Sequence, residues 1–472
     1  MAEVRANLNA LTSGGSRKVR IGLPAVAIVF GVGCLSGCVT SFDRHRTAIS
    51  ALHEQGRYDT IAQQLDDPKV RDEYGDKNRL LWWLDRGAAA LALGDTQTAL
   101  DMLEKAEAYM DILSRPTAAA DLGKWLLNDT ASPYFGEAYE DMYTNVLKLI
   151  AQLEAGNVQG GATVEARRMA TKSDALRDRY FTLRSRVGEK AGGGSGGSAG
   201  VPGPAAGVPT TEEGRFIESP LGTYLTAVTF LKTGEPAMHQ VASRRLLTAI
   251  EAQGDLIGPV QREQFTAMET MRAEEANVLI VALSGRGPRK VPRRIGPIPI
   301  FEWPVYFELP VLVGGSAEAA GARLVLDDGT SIDLALVEDM RSVATANHER
   351  QMPLIYARTY IRSSAKAATA FAMTKAWEAG SSRGGERGVA AVVGTLAGLA
   401  FVGFTEKADL RCWELLPGQA HVGTVLLPPG EHTGRVEYLS ASGGVLFAGA
   451  WKTIVAGGSA ADLSTLVEHY WR

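Results

Sequence analysis

Apolar residues in the first half of the chain recur three or four apart, and each run of about ten to twenty residues stops at a glycine. The clearest unit is "LLWWLDRGAAALALGDTQTALDMLEKAEAYMD", residues 80–111, in which Trp83, Gly87, Ala90, Ala99, Leu103 and Ala106 mark one packing face. Gly94 and Asp95 form the turn between its two helices, while Gly87 and Ala99 let the helix backbones approach. The same helix, glycine, helix layout surrounds Gly56 in "RTAISALHEQGRYDTIAQQL", Gly156 in "KLIAQLEAGNVQGGATVEARRM" and Gly234 in "TFLKTGEPAMHQ". One such hairpin cannot bury its own apolar face, so four of them predict a short solenoid. Trp82 and Trp83 point about 100° apart on a helix. Trp83 is therefore expected in the packing and Trp82 at an edge open to a partner.

The period changes after residue 275. "NVLIVAL" reads as a buried strand, followed by a loop rich in proline and glycine that carries Arg286, Arg289, Lys290, Arg293 and Arg294. "YFELPVLV", "ARLVLDDG" and "SIDLALVED" read as strands, with Asp327, Asp328 and Gly329 as a turn. Helical spacing returns over 337–380, as one helix or as two divided at Pro353. "RGVAAVVGTLAGLAFVGF" is apolar but short for a membrane span, and fits a core or membrane-touching helix. The end of the chain reads as short antiparallel strands, with Pro428, Pro429 and Gly430 turning a hairpin. "GEKAGGGSGGSAGVPGPAAGVPTTEEG", residues 188–214, has nothing to bury and is expected to be a mobile linker.

The expected class is α+β: an N-terminal tetratricopeptide-like helical solenoid, then a mixed α/β region ending in a small antiparallel β domain. Its predicted divisions are a signal peptide over 1–37, a helical-repeat domain over 38–187, the linker over 188–214 and a further helical hairpin over 215–275. A β-rich region with the basic loop over 276–336, a helical segment over 337–405 and the small β domain over 406–472 complete it.

The amino-terminal pattern adds an address. Arg17, Lys18 and Arg20 precede an apolar core, and "IGLPAVAIVFGVGCLSGCVTS" ends that core in small residues. Leu35, Ser36, Gly37 and Cys38 resemble the bacterial lipobox. That resemblance implies cleavage before Cys38, acylation of its thiol and disposal of Cys34 with the signal. Val39 stands where an aspartate often retains lipoproteins in the inner membrane, so the resemblance implies the outer membrane, facing the periplasm. Two or three acyl chains hold a protein where one does not.

Composition narrows the chemistry. The chain has 472 residues and a formal charge of -4, which gives no overall attraction to nucleic acid. Three cysteines and seven scattered histidines make neither a disulfide framework nor a metal-ligand pattern, so no cofactor or metal is expected. The five basic residues at 286–294 are candidates for contact with an anion or a lipid headgroup. Catalytic patterns are weak. His348 and Glu349 lack zinc-protease spacing, Ser284 lacks a nucleophile turn, Asp327 and Asp328 read as turn residues, and Cys412 has no histidine partner in view.

Taken in order, "LLWWLDRGAAALALGD", "SPLGTYLTAVTFLKTGEP", "LSGRGPRKVPRRI", "NHERQMPLIYART" and "EKADLRCWELLPGQAHVGTVLLPPG" resemble a family of uncharacterised bacterial outer-membrane lipoproteins with tetratricopeptide-like repeats. The expected function is a lipid-anchored envelope scaffold or adaptor that binds envelope proteins through its repeats. Two other readings stay open: a subunit of an oligomeric envelope assembly that uses 389–404 at a contact, and an enzyme acting on cell wall or lipid.

Overall fold

The computed structural model describes residues 40–114, 132–192, 217–254, 258–300, 303–380 and 407–472. The signal peptide, Cys38, the linker from residue 193 and the apolar stretch 389–404 lie outside these residues. His45–Arg472 forms one compact unit. It is helix-rich in its first and central parts and carries a curved β-sheet, a half-barrel, in its last.

The helices come in pairs. They are α1 Ser41–His53, α2 Tyr58–Asp66, α3 Pro68–Tyr74, α4 Arg79–Ala92, α5 Thr96–Ser114, α6 Ala138–Glu154, α7 Thr163–Gly192, α8 Pro220–Lys232, α9 Pro236–Glu251 and α10 Pro259–Ala267. Thr40 opens α1 through a reciprocal cap: its hydroxyl accepts from the Asp43 amide at 3.1 Å, and the Asp43 carboxylate accepts from the Thr40 amide at 3.3 Å.

Four turns, between α1 and α2, α4 and α5, α6 and α7, and α8 and α9, share one closure. Gly56, Gly94, Gly156 and Gly234 have φ between 70° and 75°. The residue after each glycine donates its amide to the carbonyl five residues back: Arg57 to Leu52, Asp95 to Ala90, Asn157 to Gln152 and Glu235 to Phe230, all at 2.9–3.0 Å. This is the glycine-dependent Schellman cap, in which the left-handed residue turns the last amides back onto orphan carbonyls. Between α4 and α5 the packing is close. A Cβ on Gly87 would lie 2.8 Å from Leu103 Cγ, and Ala99, Leu103 and Ala106 are fully buried.

The strands are β1 Val278–Ser284, β2 Arg286–Ile300, β3 Trp303–Ser316, β4 Gly321–Leu326, β5 Ser331–Asp339, β6 Gln419–Val425, β7 Gly430–Leu439, β8 Val445–Ala448, β9 Lys452–Ala456 and β10 Ser464–Tyr470. The main sheet runs β10-β1-β6-β5-β4-β7-β8, with β9 also paired to β7. Only β10 and β1 are parallel, and β1 is buried along its whole length. Val278, Ile280, Ala282, Leu324, Val436 and Tyr438 fill the concave core. Leu279, Val281 and Leu283 alternate to the other side and are equally buried. Helix α6 packs against β10 and α8 against β5.

The sheet curls enough to bring β9 beside β10. Lys452 of β9 donates to the Val467 carbonyl at 2.7 Å and lies 3.1 Å from the Glu468 carboxylate, while Ser464 donates to the Val455 carbonyl. Side chains, with no ladder between β9 and β10, close this seam.

Three sequence expectations change here. The strands of 406–472 do not form a sheet of their own: β6 inserts between β1 and β5, and β7 lies beside β4. Val422 is apolar on a strand that needs neighbours on both edges, and it pairs with Val281 and Ala335. Pro428, Pro429 and Gly430 accordingly turn no hairpin, since β6 and β7 are not neighbours. The basic segment is a strand rather than a loop. Its prolines fit because Pro292 faces Pro310 and Pro299 faces Pro304, where neither residue has an amide hydrogen to lose from the ladder.

The β2–β3 ribbon has its own core against α11, Met340–Gly380. Ile295, Val305, Phe307 and Leu309 meet Met352, Tyr356 and Tyr360. Helix α11 is continuous through Pro353. Tyr356 and Tyr360 stack at 6.3 Å and Phe307 lies 5.8 Å from Tyr356, so packing on both sides of the proline outweighs its missing amide. No described helix is long and apolar enough to cross a membrane.

Candidate functional site

The densest chemistry in the described residues is a buried charge network where helices, ribbon and sheet meet. It begins with "ADLRCWELLPG", residues 408–418, a segment with little regular structure that threads through the interior. Buried amides without a ladder need other acceptors. Helical carboxylates supply them. Asp85 of α4 accepts from the amides of Glu414 and Leu415, both at 3.2 Å, and Glu140 of α6 accepts from the Trp413 amide at 2.8 Å. The other Glu140 oxygen accepts from the Tyr134 hydroxyl at 2.6 Å and the Glu137 amide at 2.9 Å.

Burial sets the proton affinities. It pushes the Asp85 carboxyl well up, with Glu414 adding to the rise. It pushes Glu414 up to about 6, against the pull of Arg46. Glu137 goes the other way. Its burial alone would raise it, but Lys290 and then His348 outweigh that and hold the carboxyl far below its usual range. Lys290, 6% exposed, is paired to Glu137 and held above its usual value by it, although desolvation opposes this. His348 reaches the Pro310 carbonyl at 3.1 Å and stands 3.8 Å from Glu137. Arg411 bonds Asp409 at 2.7 Å and the Ser132 carbonyl at 3.1 Å, with its guanidinium 5.3 Å from the centre of the Tyr134 ring.

A second network joins α5, α6 and α7. Glu104, Glu107 and Glu165 bring carboxylate oxygens within 4.8 Å of one another, a donor set suited to a hard cation. The Lys148 ammonium sits among them, 2.6 Å from Glu107, 3.0 Å from Glu165 and also in contact with Glu104. Arg168 and Lys172 add charge from α7. The cation in this cluster is therefore a lysine of the chain itself.

Smaller versions of the same device recur. Glu338 at the end of β5 accepts from the Ser219 hydroxyl and from the Leu221 amide at 3.1 Å, and burial pushes it up to about 7. Asn347 exchanges two hydrogen bonds with the Ile217 backbone, at 3.1 and 2.9 Å. Asn277 donates to the carbonyls of Leu427 and Gly457, both at 2.8 Å. These buried polar groups fasten one chain segment to another.

The residues singled out in the sequence fall as follows. Trp83 is half-buried with its ring edge on Tyr109 at 5.4 Å, and Trp82 donates to the Leu65 carbonyl at 2.7 Å. Gly87 and Ala99 lie in the α4–α5 contact and Gly94 in its turn. The basic set is split. Arg286 pairs with Glu54 at 2.7 Å and Lys290 with Glu137, so neither is free for an external anion, whereas Arg289, Arg293 and Arg294 are exposed. Ser284 is buried. His469 on the neighbouring strand pairs with Leu283, and Ser284 and His469 line one small cavity with His53 and Tyr58. Cys412 is buried, and desolvation pushes its thiol up to about 12. Asp328 caps the β4–β5 turn by accepting from the Thr330 amide at 2.8 Å.

Asp85, Glu137, Glu140, Lys148 and Glu338 were not found from sequence. For Asp85 and Lys148 the signal is a charge set inside an apolar run, "LLWWLDRGAAA" and "VLKLIAQL"; Glu137 and Glu140 stand at a helix entry, "GEAYED", and carry no such signal. No protein family, curated protein or solved structure was found to match the chain.

Proposed function

We propose that the protein is a lipid-anchored envelope adaptor that binds protein partners through tetratricopeptide-like hairpins, in the manner of the outer-membrane lipoprotein family it resembles. The observation that carries this reading is the fourfold recurrence of one glycine closure, in helix pairs that follow a lipobox-like sequence. Repeated hairpins of this kind stack to present an extended surface of side chains, the usual platform for a peptide or another protein. The buried charges support the same reading, because they spend their hydrogen bonds on holding that platform to the sheet. Acylation of Cys38 would keep it at the outer membrane, facing the periplasm.

Thiol titration tests the anchor. Processed protein should show no reactive thiol when native and one, Cys412, in denaturant, since Cys34 leaves with the signal and Cys38 is blocked. A fatty-acid label should be incorporated by the wild type and lost in Cys38→Ala. Two or three titratable thiols in purified envelope protein count against the anchor. Crosslinking from solubilised envelopes tests the adaptor role, which predicts a small reproducible partner set; recovery of none sinks it.

A further inference from the structure

Charge is distributed unevenly over this molecule. Segments 286–316 and 340–380, which make the ribbon and α11, hold eleven basic and four acidic residues, in a chain whose total is -4. The rest of the chain is therefore acidic. Within the basic part, Arg286 and Lys290 are committed to Glu54 and Glu137. Arg289 and Arg293 are exposed, and their cross-strand neighbours are Val313 and Leu309, so no carboxylate stands opposite either in the ladder, although Arg289 is near enough to Glu414 to act on its carboxyl. Between them Val291 pairs with Val311, both half-buried, and Val313 is 38% exposed. Arg294 alternates to the other face of β2, over Tyr306 at 4.3 Å and in register with Glu308, and is not part of this strip.

We infer that this strip on β2 and β3 is a membrane-surface contact that takes the phosphates of anionic phospholipids. Guanidinium groups match phosphate oxygens two at a time. The valines between them suit the apolar side of an interface in which the arginine stems also bury. A long polyanion such as a nucleic-acid duplex fits less well, because it would run onto the acidic remainder of the chain. The inference does not rest on acylation of Cys38, and either can fail alone.

The test uses residues 38–472, which leaves out the basic and apolar leader, with Cys38→Ser in every arm, and sedimentation with vesicles of phosphatidylcholine, alone or mixed with phosphatidylglycerol. Partitioning should rise with phosphatidylglycerol and fall with salt. Arg289→Glu with Arg293→Glu should lower it on the order of twenty-five-fold or more, at roughly five-fold per lost charge. Arg167→Glu with Arg244→Glu is the control for equal charge reversal elsewhere, because those side chains are 60% and 67% exposed on the helical part, each beside one glutamate, and it should stay near wild type. Equal melting temperatures confirm that both variants fold. Equal binding to both vesicle types overturns the inference, as does an equal loss in the two double variants. Retention on heparin or duplex DNA without any gain on anionic vesicles also overturns it, in favour of a soluble polyanion.

Discussion

Lys290 and Glu137 illustrate how much a single buried charge depends on its partner. Removing the ammonium by Lys290→Met leaves a desolvated carboxylate, and such changes cost about 3–5 kcal/mol. Urea denaturation should show a loss of that order, and adding Glu137→Gln should recover more than half of it; no recovery would mean that Lys290 acts through packing alone. Glu338 makes a pH prediction. Its folded pKa, about 7, lies above the ordinary value of 4.5, so its contribution is complete below that ordinary value and is lost as pH rises through 7. Glu338→Gln keeps the acceptor for Ser219 and Leu221 but cannot ionise. The wild type should lose roughly 1–3 kcal/mol more than this variant between the two ends of that window, measured by melting at each pH. Such residues were hard to read because their partners are remote in sequence. Trp413 lies 273 residues from Glu140 and Glu414 lies 329 from Asp85, and no local periodicity carries that information. Locally, Asp85 is one acid interrupting an apolar face, and Glu140 sits beside Asp141 in the mixed run "GEAYEDMY".

At the scale of elements, the shared glycine closure allows a matched comparison. Gly56 and Gly234 have almost the same φ, 70° and 71°, but a Cβ on Gly56 would lie 2.4 Å from the Trp471 ring, while one on Gly234 meets nothing within 4 Å. Gly234→Ala should therefore cost about 1 kcal/mol, the backbone penalty alone. Gly56→Ala should cost clearly more, because Trp471 must also move. Equal losses in chemical denaturation would show that the ring yields freely. The helix pairs were legible because glycine turns and helical spacing are local signals, and the hairpin turn at Asp327–Gly329 was legible for the same reason. β2 was not, since four prolines in fifteen residues speak against a strand until the facing positions are known. "STLVEHY" was passed over altogether. β10 is short and mixed in polarity, and its place in the sheet comes from β1, far back in the chain.

The whole molecule is held together by groups that cross between its helical and β parts. Asp85, Glu137, Glu140, Glu338 and Gln253 each bridge from a helix, a helix entry or a strand end to a segment distant in sequence. His45–Arg472 forms one compact unit, and the strands of 406–472 share one sheet with those of 278–339.

The parallel pairing of β10 with β1 also makes the order of synthesis matter. β1 is the most apolar strand of the sheet, yet one of its two neighbours is made 186 residues later, Ser464 facing Val278. Until Tyr470 is in place, one edge of β1 is a bare row of amides and carbonyls flanked by leucine, isoleucine and valine, a template for pairing with another chain. A chain that lacks residues 464–472 keeps most of the core residues of the sheet and still leaves this edge of β1 uncovered. Deleting residues 464–472 should move the protein from the soluble to the aggregated fraction on refolding. A soluble truncated product with an unchanged melting temperature would show that β6 alone is enough to protect β1.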